Sequence, residues 1–145
     1  MSDQYRNGDA ERRLENICRI GSVAEVDYAN ARVRIETGDL MTAWLPWITR
    51  RAGPDVDWWA PEVGEQVVVL SPGGVLEDGV VLGSIYQDSY AAPANTPNIH
   101  TTRYQDGTTI TYDRSAHKLT ISCVGDMDIE CAGNFRVRAS RIDLE

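Results

Sequence analysis

No stretch of this 145-residue chain approaches the roughly 18 consecutive apolar residues that a membrane-spanning helix requires. Positive charge is scarce: 14 Lys and Arg stand against 22 Asp and Glu, for a net charge of −8. That balance argues against binding of nucleic acid, whose phosphates demand cations that displace counterions. Cysteine is limited to Cys18, Cys123 and Cys131, an odd number with no CxxC pair. Neither a disulfide framework nor a zinc site reads from that spacing. The two histidines, His100 and His117, stand alone, and phenylalanine occurs once. The opening "MSDQYRNGDAERRLEN" is polar and holds no apolar signal-peptide centre, so assembly in the cytoplasm is the expectation.

What is present divides the chain in two. "DAERRLENI" (9–17) predicts a short helix, with Asp9 as its cap and Leu14 and Ile17 on one face, at the end of an N-terminal arm over residues 1–16. Residues 17–87 then read as strands: "ICRIGSVAEV", "ARVRIET", "MTAWLPWI", "EQVVVLS" and "GVVLGSIY" are rich in β-branched and aromatic residues. Turn signals separate them at "DYAN", "TGD", "RRAGPD" and "SPGG". Five short strands over about 70 residues fit a small barrel of the OB type. The longest break, residues 49–64, predicts an ordered loop across that barrel. Prolines and small residues without periodicity mark a linker over 88–100. Residues 101–145 begin with a Gly-bearing turn, a strand and a second turn around "DRSAH".

The remainder is a ladder: LTISCVGD, MDIECAGN, FRVRASR and IDLE align at their first apolar position. Positions one, three and five are apolar and position seven is Gly in the first two segments. Alternation gives each segment one dry and one wet face, and Gly125 and Gly133 read as corners able to take φ > 0. Asp128 and Glu130 are followed eight residues later by Arg136 and Arg138, then by Asp143 and Glu145. Stacked segments would therefore set opposite charges side by side, which specifies register more than it stabilises. No helix exists to cover the dry face, and an isolated hairpin is marginal in water. Either one chain coils into a solenoid, for which four segments are few, or several copies share one interior. Three copies are favoured, because a triangular prism has room for one small or medium side chain per chain in each layer. The expected interior is Leu119, Ile121, Cys123, Met127, Ile129, Cys131, Phe135, Val137, Ile142 and Leu144.

Residues 12–90 closely resemble the bacteriophage baseplate assembly protein V family, the central tail spike of P2-like contractile phages and R-type pyocins. "WLPW", "RAG", "WWAP", "GEQV" and "SPGG" carry the resemblance most specifically; the ladder resembles the family's intertwined β-helix in style only. The resemblance implies an all-β chain, with an OB-fold collar followed by a homotrimeric triple-stranded β-helix. It implies docking of the collar to the baseplate hub and passage of the shaft through the target cell's outer membrane when the tail sheath contracts. The location implied is the baseplate of a virion or tailocin. Related proteins bind iron at a His-x-His tip. This chain has no such motif and ends in mid-pattern at "RIDLE", so no metal or other cofactor is carried over, and a tip that is missing or removed is expected.

His100 and His117 have no partners at ligand spacing and read as surface or interface residues. Cys123 and Cys131 occupy equivalent inward positions and read as inert thiols. Trp44, Trp47, Trp58 and Trp59 could stack sugars or bases, but core packing or hub contact is the simpler expectation. "SPGGVLEDG" lacks the Lys and spacing of a phosphate loop and predicts a hairpin turn. Asp126, Asp128 and Glu130 do not match a calcium loop. Nothing assembles acid, base and nucleophile, so no enzymatic activity is expected. The rivals are a type VI secretion spike, which normally carries a larger hub portion on the same chain, and a monomeric OB module for an oligonucleotide or glycan.

Overall fold

The computed structural model describes residues 3–144. It is mostly β, with one helix, and divides into two compact units at Ala91/Ala92.

The first unit opens with α1, Asp3–Ile17. The helix is longer than the predicted 9–17, and Asp9 is not its cap. Arg12 and Arg13 follow Asp9 by three and four residues, so on a helix both reach it, at 2.6 and 3.1 Å, as mid-helix ion pairs. No residue of α1 is buried, and Leu14 is exposed. Tertiary contact comes at its C-terminal end. Ser71 N–H donates to the Ile17 carbonyl at 2.8 Å, and the turn Pro72–Gly74 lies so close that a Cβ on Gly74 would collide with the Arg13 backbone. Gly74 also has φ +71°, so glycine is required there twice over.

Five strands follow: β1 Cys18–Asp27, β2 Arg32–Thr37, β3 Leu40–Met41, β4 Gln66–Leu70 and β5 Val80–Ser84, in the order β3-β2-β1-β4-β5. All neighbouring pairs are antiparallel. Asp27 sets the β1–β2 turn by accepting from the Asn30 backbone N–H (3.1 Å) and side chain (2.8 Å). The predicted strand "MTAWLPWI" is broken after Met41. The Thr42 hydroxyl takes the Ile35 N–H at 2.9 Å where a ladder carbonyl would stand, and Pro46 has no N–H to give. The chain still works as a strand through two isolated bridges, Val33 with Leu45 and Trp47 with Val81. The second is parallel: Val81 N–H donates to the Pro46 carbonyl at 3.0 Å and Ile48 N–H to the Val81 carbonyl at 2.8 Å. It joins the two edges of the sheet and closes the barrel. The predicted hairpin turn "SPGGVLEDG" is two successive 3-10 turns, Pro72–Gly74 and Leu76–Asp78, between the antiparallel β4 and β5.

Alternation fills the barrel. Val23, Val33, Ile35, Leu45, Val67, Val69 and Val81 are buried together, with Val26 and Trp47 packed against them. Gly21 lies where β2 approaches β1 closely: a Cβ there would meet the Glu36 carbonyl and the Ile35 side chain. The Ser71 hydroxyl is buried without a hydrogen-bond partner among the described residues, and nothing in the fold explains it.

The second unit is a three-stranded antiparallel sheet: β6 Ile99–Arg103, β7 Thr109–Asp113 and β8 Lys118–Ser122. β6 begins inside the segment read as linker. Asp113 holds the β7–β8 turn, accepting from Ser115 N–H (2.9 Å), Ser115 hydroxyl (2.6 Å) and Ala116 N–H (3.2 Å). Register puts Thr101, Thr111 and Thr120 in one row, with the Thr101 and Thr111 hydroxyls 2.7 Å apart. The opposite face carries two rows, His100–Tyr112–Leu119 and Thr102–Ile110–Ile121. Residues 123–144 contain no helix or strand.

Candidate functional site

Two exposed apolar surfaces stand out, one on each unit. On the barrel, Trp47 is half-buried against the core and meets Trp58 edge to face, with centroids 5.6 Å apart and ring planes at 63°. The loop that carries Trp58 is pinned locally: the Thr49 hydroxyl donates to the Asp57 carbonyl at 3.1 Å, Arg50 pairs with the Asp57 carboxylate at 3.1 Å, and Ala52 bridges Val56. Trp58, Trp59, Ile48 and Val56 nevertheless present most of their surface outward. Trp44 lies under the Arg34 guanidinium, 5.8 Å from the ring centroid, and Arg34 is itself held by Glu25 at 3.0 Å and the Thr42 carbonyl at 3.1 Å. Of the four tryptophans, Trp47 packs on the core; Trp44, Trp58 and Trp59 are exposed. The edge-to-face contact of Trp47 and Trp58 is an ordinary packing geometry for an aromatic pair.

On the second unit, the ladder residues are all exposed. Leu119 keeps 63% of its surface, Ile129 68% and Phe135 64%, and Ile121, Met127, Val137, Ile142 and Leu144 behave alike. Cys123 and Cys131 are free and exposed; their sulfurs lie 3.4 Å from the Asp126 carbonyl and 3.2 Å from the Gly133 carbonyl. Leu119 and Ile121 come together on one face of β8, in line with Tyr112 and Ile110. No ladder of hydrogen bonds gathers the others within the chain, since a strand needs a neighbour and residues 123–144 have none. Gly125 and Gly133 do not take positive φ, contrary to the expectation for corners, and a Cβ at either would meet nothing within 4 Å. The single chain therefore makes no demand for glycine at these positions.

Reactive groupings are sparse. Among the described residues no three His, Cys, Asp or Glu side chains gather at metal-binding distance. His100 lies on β6, and His117 in the β7–β8 turn with φ +53°. Two open surface depressions are lined by Arg50, Arg51, Asp55, Val56 and Asp57 in one case and by Gln4, Tyr5, Gly8, Asp9 and Arg12 in the other. Three carboxyls are held below the ordinary carboxylate value, each by local hydrogen bonds: Asp9 chiefly by Arg12, Asp27 by the Asn30 side chain, Asp113 by the Ser115 hydroxyl. All three are fixtures of a helix or a turn. No helix of the described residues is long and apolar enough to cross a membrane.

Sequence reasoning missed β6, whose polar "IHTTR" gave no apolar alternation, and the closing bridge at Trp47 and Val81. The first could have been found from the threonines that recur opposite it in β7.

Comparison with known proteins agrees with this architecture. Residues 19–86, which span the barrel from β1 to just beyond β5, match the family described as the type VI secretion system/phage-baseplate injector OB domain. The chain is 37% identical over 123 residues to the spike protein of Escherichia phage P2, an alignment covering 85% of this chain. It spans 58% of the length of that relative. Through a barrel that matches over its whole length, and a relative whose likeness runs on past the barrel, the chain belongs to the phage baseplate assembly protein V family.

Proposed function

We propose that this protein is a structural spike of a contractile phage tail or tailocin baseplate. It is non-enzymatic and acts by transmitting force. The barrel serves as the collar that docks to the baseplate hub, presenting Trp44, Trp58 and Trp59. Residues 101–145 serve as the shaft, in which three copies wind about one axis and give Leu119 to Leu144 to a common dry interior. Sheath contraction drives the shaft through the outer membrane of the target cell. A closed β prism leaves no unpaired strand edge at which penetration could peel it apart.

The observation that carries this reading is the exposure of the entire apolar ladder in the single chain. Burying an aliphatic side chain is worth about 1.5–3 kcal/mol, so association of copies gains at every rung what folding of one chain leaves unclaimed. The likeness to the spike protein of Escherichia phage P2 supports the same reading. Light scattering tests it: an assembly near three times the 16.1 kDa of the chain is expected, and a monomer ordered through the ladder overturns it. Retention on single-stranded DNA at physiological salt would instead favour a monomeric OB module.

A further inference from the structure

The sheet of the second unit has two unlike faces, and an ionisable pair lies on the more apolar one. One face carries the rows Ile99–Asp113–Lys118, Thr101–Thr111–Thr120 and Arg103–Thr109–Ser122, which are mostly polar or charged. The other carries His100–Tyr112–Leu119 and Thr102–Ile110–Ile121. Ile110, Tyr112, Leu119 and Ile121 leave 40–63% of their surface bare in the single chain. On this face β6 sets only Thr102 beside His100, β7 faces it with Tyr112, and β8 brings no ionisable group. At that end of the sheet Arg114 is tied to the Asn98 side chain by its Nε at 2.8 Å. No carboxylate in these rows stands ready to answer an imidazolium. Neither the His100 imidazole nor the Tyr112 hydroxyl has a hydrogen-bond partner among the described residues.

Leu119 and Ile121 are also the first two rungs of the ladder, so this face runs without a break into the shared interior of the trimeric shaft proposed above. Resting on that reading, we infer that His100 and Tyr112 of the three copies make a polar layer in the dry interior, and that protonation of the imidazoles loosens the assembly in acid. A neutral imidazole nitrogen accepts a hydrogen bond, and a Tyr112 hydroxyl has one to donate. Buried singly, each group loses water and gains no partner; buried together they satisfy one another. An imidazolium has no nitrogen left to accept. It also finds no carboxylate in the layer and meets like charges from the other two copies. In separated copies His100 faces water and charges freely, so protons bind the separated form more tightly. The assembly therefore loses stability as pH falls through the imidazole range, between about 8 and 5. Asp27 and Asp113 stay outside that window, because their carboxyls are held below 3.8.

Thermal unfolding of the full chain from about pH 8 to about pH 5, with light scattering at each pH, tests this layer. The melting temperature of the assembly is expected to fall across that window in the unaltered chain and in His117→Asn, and to stay level in His100→Phe. A level profile in the unaltered trimer, or a fall that survives His100→Phe or disappears in His117→Asn, overturns the switch while the trimer stands. At the alkaline end, His100→Phe and Tyr112→Phe should each lower the melting temperature, and the double variant should lose less than the two losses added. Additive losses overturn the pairing. Chemical modification of the unaltered protein reads the same layer without any substitution. Diethyl pyrocarbonate at neutral pH should modify His117, exposed in the β7–β8 turn, and spare His100, as read by mass spectrometry of the peptides. Equal modification of both in a trimer overturns the buried layer. A monomeric mass at the alkaline end removes the shaft reading and this inference together.

Discussion

The two units use the same alternation of apolar and polar residues and do opposite things with it. In the barrel, Val33 and Ile35 on β2 and Val67 and Val69 on β4 point inward and are buried, because the sheet curls until its edges meet at Trp47 and Val81. In residues 92–144 the alternation is at least as regular, yet no residue is buried. A three-stranded sheet is too small to close on itself, and the described residues of the second unit form no second layer to cover it. Periodicity therefore tells which face wants to be dry, and closure tells whether one chain can make it so.

Mutations can break that contrast. The largest expected effect is Ile129→Asp, which puts a charge into the proposed shared interior: assembly should be lost altogether by light scattering, while thermal unfolding of the barrel stays in place. Trimers of unchanged stability would show that Ile129 does not face the interior. Next is Ile35→Ala in the closed core, expected to cost the barrel about 2–5 kcal/mol in denaturant unfolding without altering the mass of the assembly. If Ile35→Ala abolished assembly and Ile129→Asp only softened it, the two units would have exchanged roles. Gly74→Ala is expected to cost about 1–3 kcal/mol, since alanine at φ +71° is strained and its methyl group meets the Arg13 backbone. Hydrogen exchange should report it as faster exchange in α1, with the core strands still protected.

The smallest effect compares the aspartates that set turns, Asp27 in the barrel and Asp113 in the second unit. Both carboxyls sit below the ordinary value of 3.8 in the folded chain, so each contributes stability that is complete above that value and is lost as pH falls through the lowered one. Asp27→Ala and Asp113→Ala should each flatten the acid limb of the unfolding curve for its own unit only. An effect of Asp113→Ala on the unfolding of the barrel would mean that the two units unfold as one.

Much of the architecture was legible in local pattern. Four of the five barrel strands fall where β-branched runs and turn residues place them, and the ladder of Leu119 to Leu144 is visible from spacing alone. The errors have a common cause. Asp9 resembles a cap to anyone counting from the first apolar residue, but Arg12 and Arg13 make it a good mid-helix residue in a helix that starts earlier. "MTAWLPWI" has strand composition throughout, yet the Thr42 hydroxyl and Pro46 interrupt its ladder. In each case a side chain took a partner that strand or helix propensity does not describe.

By itself, then, the sequence determined which positions are apolar, how they alternate, where the chain turns, and the order in which charge changes sign along the last three segments. Only the tertiary structure decided that the first sheet closes through Trp47 and Val81, that α1 rests on Gly74, and that the second unit leaves its apolar face open. The physical reason is range. Alternation and turn chemistry act between residues a few positions apart, whereas closure depends on twist and strand number summed over the whole sheet.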